Sequence, residues 1–203
     1  MMFVMVTLPG CPIINTALTN PRILDPKYNF SLSDLERYNS WIEETIQESR
    51  RLGTNAIIVN KSAYRLFLIK NGTVEAAFPV DLGFSPTDDK QVEGDGCTPE
   101  GMYVVQRKLG PGQTAFHKAY LINYPNSHDQ EQGKTGGLIE IHGSGTGKTK
   151  LQGGYNWTWG CVALSDQAID SIFSQINEND RITIIRYTDI TLSRSSRPGE
   201  FHP

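Results

Sequence analysis

Short apolar stretches separated by turn residues dominate the chain from Ala56 onward, and long helical periods are rare there. The dipeptide Asn71-Gly72 is typical of a two-residue β-hairpin turn, and it stands between two such stretches. Many short strands with few helices indicate a β-sandwich or a barrel-like domain. The pattern of apolar residues predicts strands over 56–60, 64–70, 73–80, 101–108, 119–123, 137–141 and 181–187.

Two segments have the period of an amphipathic helix. The first begins at Ser31 or Ser33, runs to about Leu52 and meets Gly53, a residue type that commonly ends helices. Its apolar residues fall on one stripe, which we expect to pack on the main domain. The second helix follows Ser165, a good N-cap. One face of this helix carries Ala168, Ile169, Ile172, Phe173 and Ile176.

These elements predict a mostly β (α+β) fold, with one helix in front of the strands and one internal helix. A chain of 203 residues is long enough to bury a core without disulfide bonds. We predict a lead-in and helix over 1–54, one main domain over 55–190 and a flexible tail over 191–203, where Ser, Arg and Pro are frequent.

The charge and the cysteine content exclude several classes of function. The formal net charge is −3 and no basic run is present, so we predict neither nucleic-acid binding nor a polybasic membrane anchor. Cys11, Cys97 and Cys161 lack the CxxC or Cys/His spacing of a zinc site. We therefore predict no metal, no cofactor and at least one free thiol.

The N-terminus carries a short apolar run over 3–8, shortly before Cys11. This run is too short to span a bilayer, so no integral membrane segment is predicted there. Two interpretations stay open. The run is either a packed or disordered first segment, or the remnant of an export signal in which Cys11 is a candidate lipidation site.

Two short segments carry residues suited to acyl-transfer chemistry. On the strand that ends near His142, alternation places Glu140 and His142 on one face. Cys161 follows Gly160, whose backbone freedom lets a sulfur be exposed and lets successive N–H groups converge. A thiol, an imidazole and such amides together make an acyl-transfer site. The residues alone leave open a buried inert cysteine and a structural histidine.

Further sequence blocks surround these residues in a characteristic order. They are Phe78-Pro79-Val80 with Gly83, Thr98-Pro99-Glu100-Gly101-Met102-Tyr103, Ile141-His142-Gly143, and Thr158-Trp159-Gly160-Cys161 with Val162-Ala163-Leu164. In this order and spacing the blocks resemble the L,D-transpeptidase catalytic domain, also called the YkuD domain, over about 56–187. The blocks Asn123-Tyr124-Pro125-Asn126 and Asn156-Trp157-Thr158 are similar to a secreted or periplasmic bacterial subgroup. The resemblance implies a β-sandwich with one helix after the nucleophile, and a location in the periplasm or cell envelope.

The resemblance also implies a reaction on peptidoglycan stem peptides. Cys161 would attack the carbonyl at the L-centre of diaminopimelate, release the terminal D-Ala and pass the acyl group to an amine. His142 would take the thiol proton and raise the thiolate fraction, while the carbonyl of Gly143 orients the imidazole. The N–H groups of Gly160 and Cys161 would stabilise the oxyanion. Carbapenem-type inhibitors are expected to acylate the same thiol.

Candidate substrate-binding residues follow from the same blocks. Tyr124 and Asn126 would line the groove, although a turn before a loop explains these residues equally well. Thr158 and Trp159 adjoin the nucleophile, where Trp159 either packs or forms the floor of the groove.

Two positions depart from the family pattern. Trp159 stands where many relatives have histidine, and Ala163 stands where many have arginine. The first change removes a second imidazole, and the second removes a guanidinium that can fork onto a carboxylate. Transpeptidation, carboxypeptidase trimming and endopeptidase cleavage therefore all stay open, as does a silent peptidoglycan-binding module.

Overall fold

The computed structural model describes residues 31–145, 156–188, 190 and 192. The predictions for the lead-in before residue 31, including Cys11, lie outside these residues, as do nearly all of those for the tail. In chain order the elements are α1 (Leu32–Leu52), β1 (Asn55–Asn60), β2 (Arg65–Lys70), β3 (Thr73–Pro79), β4 (Gly101–Leu109), β5 (Ala119–Ile122), α2 (Ser127–Glu131), β6 (Glu140–Gly143), β7 (Val162–Leu164), α3 (Asp166–Phe173) and β8 (Arg181–Ile185).

The first helix begins and ends where the sequence predicts. The hydroxyl of Ser31 accepts a hydrogen bond from the N–H of Asp34, which satisfies one of the free donors of the first turn. Gly53 ends the helix at a φ of 67°, a conformation that glycine adopts without strain. No helix of the described ranges is both long and apolar enough to cross a membrane.

The strands form one sheet in the order β3-β2-β1-β8-β4-β5-β6-β7. Strand β4 belongs to two ladders, because residues 101–104 pair with β8 whereas residues 105–109 pair with β5. We call β3, β2, β1, β8 and residues 101–104 the α1-backed half. Residues 105–109, β5, β6 and β7 form the site half.

The two halves face each other across one core, as expected for the predicted sandwich. Ile57 and Val59 of β1 enter this core together with Ile141 and Val162 of the site half. The alternate residue of β1, Ile58, points the other way and packs in a second apolar cluster under α1. Strands β1, β2 and β8 are therefore buried on both of their faces, whereas the edge strand β3 is partly exposed.

Most predicted strands agree with the structure to within one or two residues, and the predicted helix after Ser165 is α3. The strand predicted over 137–141 is β6 and starts later, at Glu140, since Leu138 has a φ of 54° that breaks an extended chain. Two short elements, α2 and β7, were not predicted. The apolar residues after Cys161 are strand β7, which pairs in parallel with β6.

Candidate active site

The candidate site lies on the outer face of the site half. Ile141 points into the core, so its neighbours Glu140 and His142 point outward, as the alternation predicts. Ile141 pairs with Val162 of β7, which puts Cys161 opposite Glu140, one position before the strand. The N–H of Glu140 donates to the sulfur of Cys161 at 3.3 Å. Cys161, Glu140 and His142 therefore share one patch of the sheet surface.

The protonation state of His142 follows from one contact. Nδ1 lies 2.7 Å from the carbonyl oxygen of Gly143, and a carbonyl only accepts hydrogen bonds. Nδ1 therefore carries the hydrogen, and Nε2 carries a lone pair. Nε2 is buried and has no hydrogen-bond partner among the described residues. A buried nitrogen lone pair without a partner is available as a base.

Aromatic rings enclose the imidazole. Phe116, from the connection between β4 and β5, stacks on His142 with 3.5 Å between ring centroids and 10° between planes. Trp157 meets the imidazole at an angle of 75°, with centroids 5.7 Å apart. This burial lowers the pKa of His142 to about 4, although the carbonyl of Gly143 and the carboxylate of Asp166 act in the opposite direction. His142 is therefore neutral at pH 7.

The thiol of Cys161 is also neutral in this arrangement. Burial raises its pKa to about 11; the N–H of Glu140 lowers the pKa, and the carboxylate of Glu140 raises it further. The sulfur lies 3.7 Å from the carbonyl oxygen of Leu138, and Nε2 of His142 has no partner, so thiol and imidazole are not hydrogen-bonded. The expectation that the imidazole lowers the thiol pKa is wrong for this resting geometry, because burial raises the pKa and the neutral imidazole makes no hydrogen bond to the sulfur.

The loop before the nucleophile is braced by close backbone contacts. Gly160 has a φ of 125°, and a Cβ at this position would lie 2.6 Å from the carbonyl oxygen of Cys97. The hydroxyl of Thr158 accepts from the N–H of Gly160 at 3.2 Å and donates to the carbonyl of Cys161 at 2.7 Å. The predicted oxyanion donor at Gly160 is therefore engaged in this structure. The N–H of Cys161 makes no hydrogen bond within the described residues.

The predicted substrate residues fall into two groups. Trp159 is 68% exposed beside Cys161 and meets Phe84 edge-on, with ring centroids 4.9 Å apart. Tyr124 is only 5% exposed, and its hydroxyl donates to the carbonyl of Thr135. Trp159, two residues before the nucleophile, is thus exposed, whereas Tyr124 lies inside the fold.

Asn126 likewise has a structural role. Its side-chain oxygen caps α2 by accepting from the N–H of Asp129, and its amide nitrogen donates to the carbonyl of Met102. Both polar ends of this side chain are therefore used within the fold. Substrate binding by Tyr124, Asn126, Thr158 and Trp159 stays a prediction.

The sequence gives no local signal for two residues that shape the site. Phe116 covers His142, and Thr114 donates to the carboxylate of Glu140 at 2.9 Å. Both come from the β4–β5 connection, which crosses the outer face of β6. Their neighbour His117 contacts Asp170 of α3 at 2.9 Å and does not take part in this cluster.

Nothing in the described ranges groups three His, Cys, Asp or Glu side chains as a metal ion would require. A cavity of about 610 Å³ lies elsewhere, between β3 and α3, and none of the candidate catalytic residues lines it.

The family model of the YkuD L,D-transpeptidase catalytic domain matches residues 54–184 of this chain. The chain therefore belongs to the L,D-transpeptidase catalytic domain family. The putative L,D-transpeptidase YafK of Escherichia coli K12 is 36% identical over 84 residues, which are 41% of this chain and 30% of YafK.

Solved structures share the fold. The helical cell shape determining protein Pgp2 from Campylobacter jejuni matches with a TM-score of 0.55 at 25% identity, over 78% of this chain and 57% of Pgp2. Bd1075 from Bdellovibrio bacteriovorus matches with a TM-score of 0.51 at 23% identity, over 72% of this chain and 52% of that protein. This chain thus spans little more than half the length of these proteins, and the likeness to Bd1075 is one of fold alone.

Proposed function

We propose that the protein is a peptidoglycan L,D-transpeptidase with Cys161 as its nucleophile. The acyl donor is a stem peptide, which Cys161 attacks at the L-centre of diaminopimelate with release of D-Ala. The acyl group then passes to an amine. The observation that carries this proposal is the unpaired lone pair on Nε2 of His142, which shares the outer face of two paired strands with Cys161.

The neutral resting pair favours a proton transfer that accompanies the attack. The thiol leaves the carbonyl of Leu138, gives its proton to Nε2 of His142 and forms the bond from sulfur to carbon. The imidazolium that results is stabilised by the Gly143 carbonyl at Nδ1 and by the charge of Asp166. It then protonates the departing nitrogen of D-Ala, which leaves a thioester on Cys161.

The oxyanion of each tetrahedral intermediate needs a donor in place before the reaction. The N–H of Cys161 is the best candidate because it is unengaged among the described residues. The N–H of Gly160 contributes only after it leaves the hydroxyl of Thr158. In the second half of the reaction, Nε2 of His142 takes a proton from the acceptor and returns it to the sulfur.

The acceptor decides between transfer and hydrolysis. Trp159 and Phe84 form an exposed aromatic pair next to Cys161, and apolar surface beside the thioester disfavours ordered water there. We therefore propose an amine as the acceptor. Because peptidoglycan lies outside the cytoplasmic membrane, we also propose that the protein acts in the periplasm or cell envelope.

Incubation with disaccharide-tetrapeptide, with and without a D-amino acid, tests the reaction. We expect a cross-linked dimer or D-amino-acid exchange in the mass spectrum, and loss of both in Cys161→Ala. Cys97→Ala is the matched control, because Cys97 is the other described thiol and is nearly buried. Tripeptide alone would instead indicate a hydrolase.

A carbapenem tests the nucleophile separately from the substrate. We expect one adduct in the intact mass, mapped to Cys161 and absent in Cys161→Ala. If Cys161 is reduced and reacts with the carbapenem but no stem peptide is turned over, the assignment of the nucleophile holds and the proposed substrate is wrong. An unchanged mass after long incubation would favour a silent binding module.

A further inference from the structure

Glu140 is the side chain closest to Cys161 in the strand register. It stands opposite Cys161 on the same outer face, whereas His142 is one pair further along. Its backbone N–H already contacts the sulfur at 3.3 Å. The carboxylate of Glu140 is near enough to raise the pKa of the Cys161 thiol. The sulfur of Cys161 gains negative charge in the first step of the proposed reaction, and the neighbouring carboxylate of Glu140 disfavours that step. A function for this carboxylate therefore belongs to a different step.

The carboxylate is half-buried and only partly satisfied. Oε2 of Glu140 accepts from the hydroxyl of Thr114 at 2.9 Å, and among the described residues no hydrogen bond reaches Oε1. No lysine, arginine or histidine of the described ranges forms an ion pair with it. Lys90, the cation that lowers the pKa of the Cys161 thiol, is paired with Asp95 at 2.8 Å. Partial burial of the Glu140 carboxylate raises its pKa, and a cationic ligand would offset the hydration that this carboxylate has lost.

The carboxylate is also not the group that orients the catalytic imidazole. Nδ1 of His142 donates to the Gly143 carbonyl, so the orientation of the imidazole does not depend on Glu140. The strand register instead puts the carboxylate on the same face as the sulfur, where a nitrogen bound to the carboxylate would lie close to a thioester on Cys161.

We propose that Glu140 is a specificity-determining residue that binds the primary ammonium group of the acyl acceptor. This inference rests on the proposed transfer from Cys161 and adds the class of acceptor, a primary amine that arrives as a cation. Glu140 takes one proton from the ammonium group, and the freed nitrogen attacks the thioester carbon. The C–N bond forms and the C–S bond breaks. A second proton passes from the nitrogen through Nε2 of His142 to the sulfur, and Glu140 releases its proton to water.

The substitution Glu140→Gln tests this role because it keeps the size of the side chain and an acceptor for Thr114. Glu178→Gln is the matched control, since the carboxylate of Glu178 also accepts one hydrogen bond, from the N–H of Lys108, in an exposed position. With a tetrapeptide donor, the ratio of D-methionine exchange to hydrolysis should fall about tenfold or more in Glu140→Gln, through a higher KM for D-methionine. The control should keep the wild-type ratio.

A second measurement does not depend on turnover. The carboxylate of Glu140 raises the pKa of the Cys161 thiol, so loss of its charge should speed alkylation of Cys161 by iodoacetamide at neutral pH by roughly several-fold. Carbapenem acylation should be unchanged or faster. An unchanged exchange ratio in Glu140→Gln, with exchange by the wild type intact, overturns the role of Glu140 and leaves the proposed function standing. A wild type that only hydrolyses overturns the transferase proposal, and the acceptor site with it.

Discussion

The α1-backed half and the site half differ in how their polar groups are satisfied. In the α1-backed half, the buried hydroxyl of Thr183 forms a hydrogen bond with that of Thr45 in α1 at 2.6 Å. In the site half, Nε2 of His142 is the one buried side-chain nitrogen or oxygen of the described residues that lacks a hydrogen-bond partner. Buried polar groups are normally paired, so this exception supports the proposed role of Nε2 as a base.

The buried charges next to the ends of β1, β4 and β8 show the same contrast. Burial alone raises the pKa of Glu100, but Lys61 and Arg186 reverse this and hold it below its usual value. Lys61 contacts the carboxylate at 2.8 Å and Arg186 at 2.9 Å, and Tyr38 of α1 donates to it as well. Glu140 in the site half has no such cation among the described residues. Ion pairs thus neutralise the buried carboxylate of Glu100, whereas at Glu140 the proposed ammonium group of the acceptor would do so.

The largest effect should come from His142→Ala. It removes the one buried base of the described residues that lacks a hydrogen-bond partner and should slow carbapenem acylation of Cys161 by roughly 10²–10⁴-fold. The strand and the turn at Gly143 stay, so the variant should remain folded by circular dichroism. Near-normal acylation would show that another group is the base and that the unpaired nitrogen does not mark the chemistry.

Two glycines at positive φ, where a Cβ would be strained, compare the halves directly. Gly160→Ala puts a Cβ 2.6 Å from the Cys97 carbonyl and should displace the nucleophile, with a loss of activity of roughly 100-fold. Gly72→Ala meets the carbonyl of Ile46 at 2.8 Å and should lower the free energy of unfolding by about 1–3 kcal/mol. Its acylation rate per folded molecule should equal that of the wild type. If Gly160→Ala and Gly72→Ala lose activity to the same extent, the two halves do not differ in their effect on the reaction.

Two threonines make the same comparison without strain. Thr158→Val removes the hydroxyl that links Gly160 to the Cys161 carbonyl, and we expect roughly a tenfold slower acylation. Thr183→Val removes the partner of Thr45 and should cost about 1–3 kcal/mol of unfolding free energy with an unchanged rate. Chemical denaturation and intact-mass kinetics measure the two quantities.

The smallest effect at neutral pH, and the sharpest diagnostic, belongs to Phe116→Leu. The base must be neutral, so activity is lost as the pH falls through the pKa of His142, which burial holds at about 4. Removing the stacked ring admits water and should move the acid limb of kcat/KM upward by roughly one to two pH units, toward the usual histidine value. Phe67→Leu, in the cluster under α1, should leave the limb in place. If the acid limb of kcat/KM in Phe116→Leu stays at the wild-type pH, residues other than Phe116 are responsible for the burial of His142.

Local signals explain why most of the fold was predictable. The Asn71-Gly72 turn, the caps at Ser31 and Ser165 and the alternation along β1 depend on neighbours in the chain. Strand β7, with three residues, and α2, with five, are too short for a periodic signal. Their existence depends on pairing with β6 and on the cap at Asn126.

The candidate site was predictable only in part. The residues Cys161 and His142 come from the sequence blocks, and the contact of His142 with the Gly143 carbonyl lies between chain neighbours. The cover provided by Phe116 depends on how a distant connection folds over β6. The direction in which the pKa of the Cys161 thiol is shifted depends on burial. No local sequence pattern indicates that burial, so the direction predicted from the sequence was wrong.

Strand β4 has a consequence for how this molecule opens. Its first residues are hydrogen-bonded to β8 and its last to β5, along one continuous backbone. If either half separates, β4 loses one of its two neighbouring strands over part of its length. We therefore expect the two halves to open together, so that the amide hydrogens of β5 and β8 exchange with solvent in the same opening event. A covalent acyl group on Cys161 that holds the site half closed should therefore also slow exchange in β8, on the far side of the shared strand.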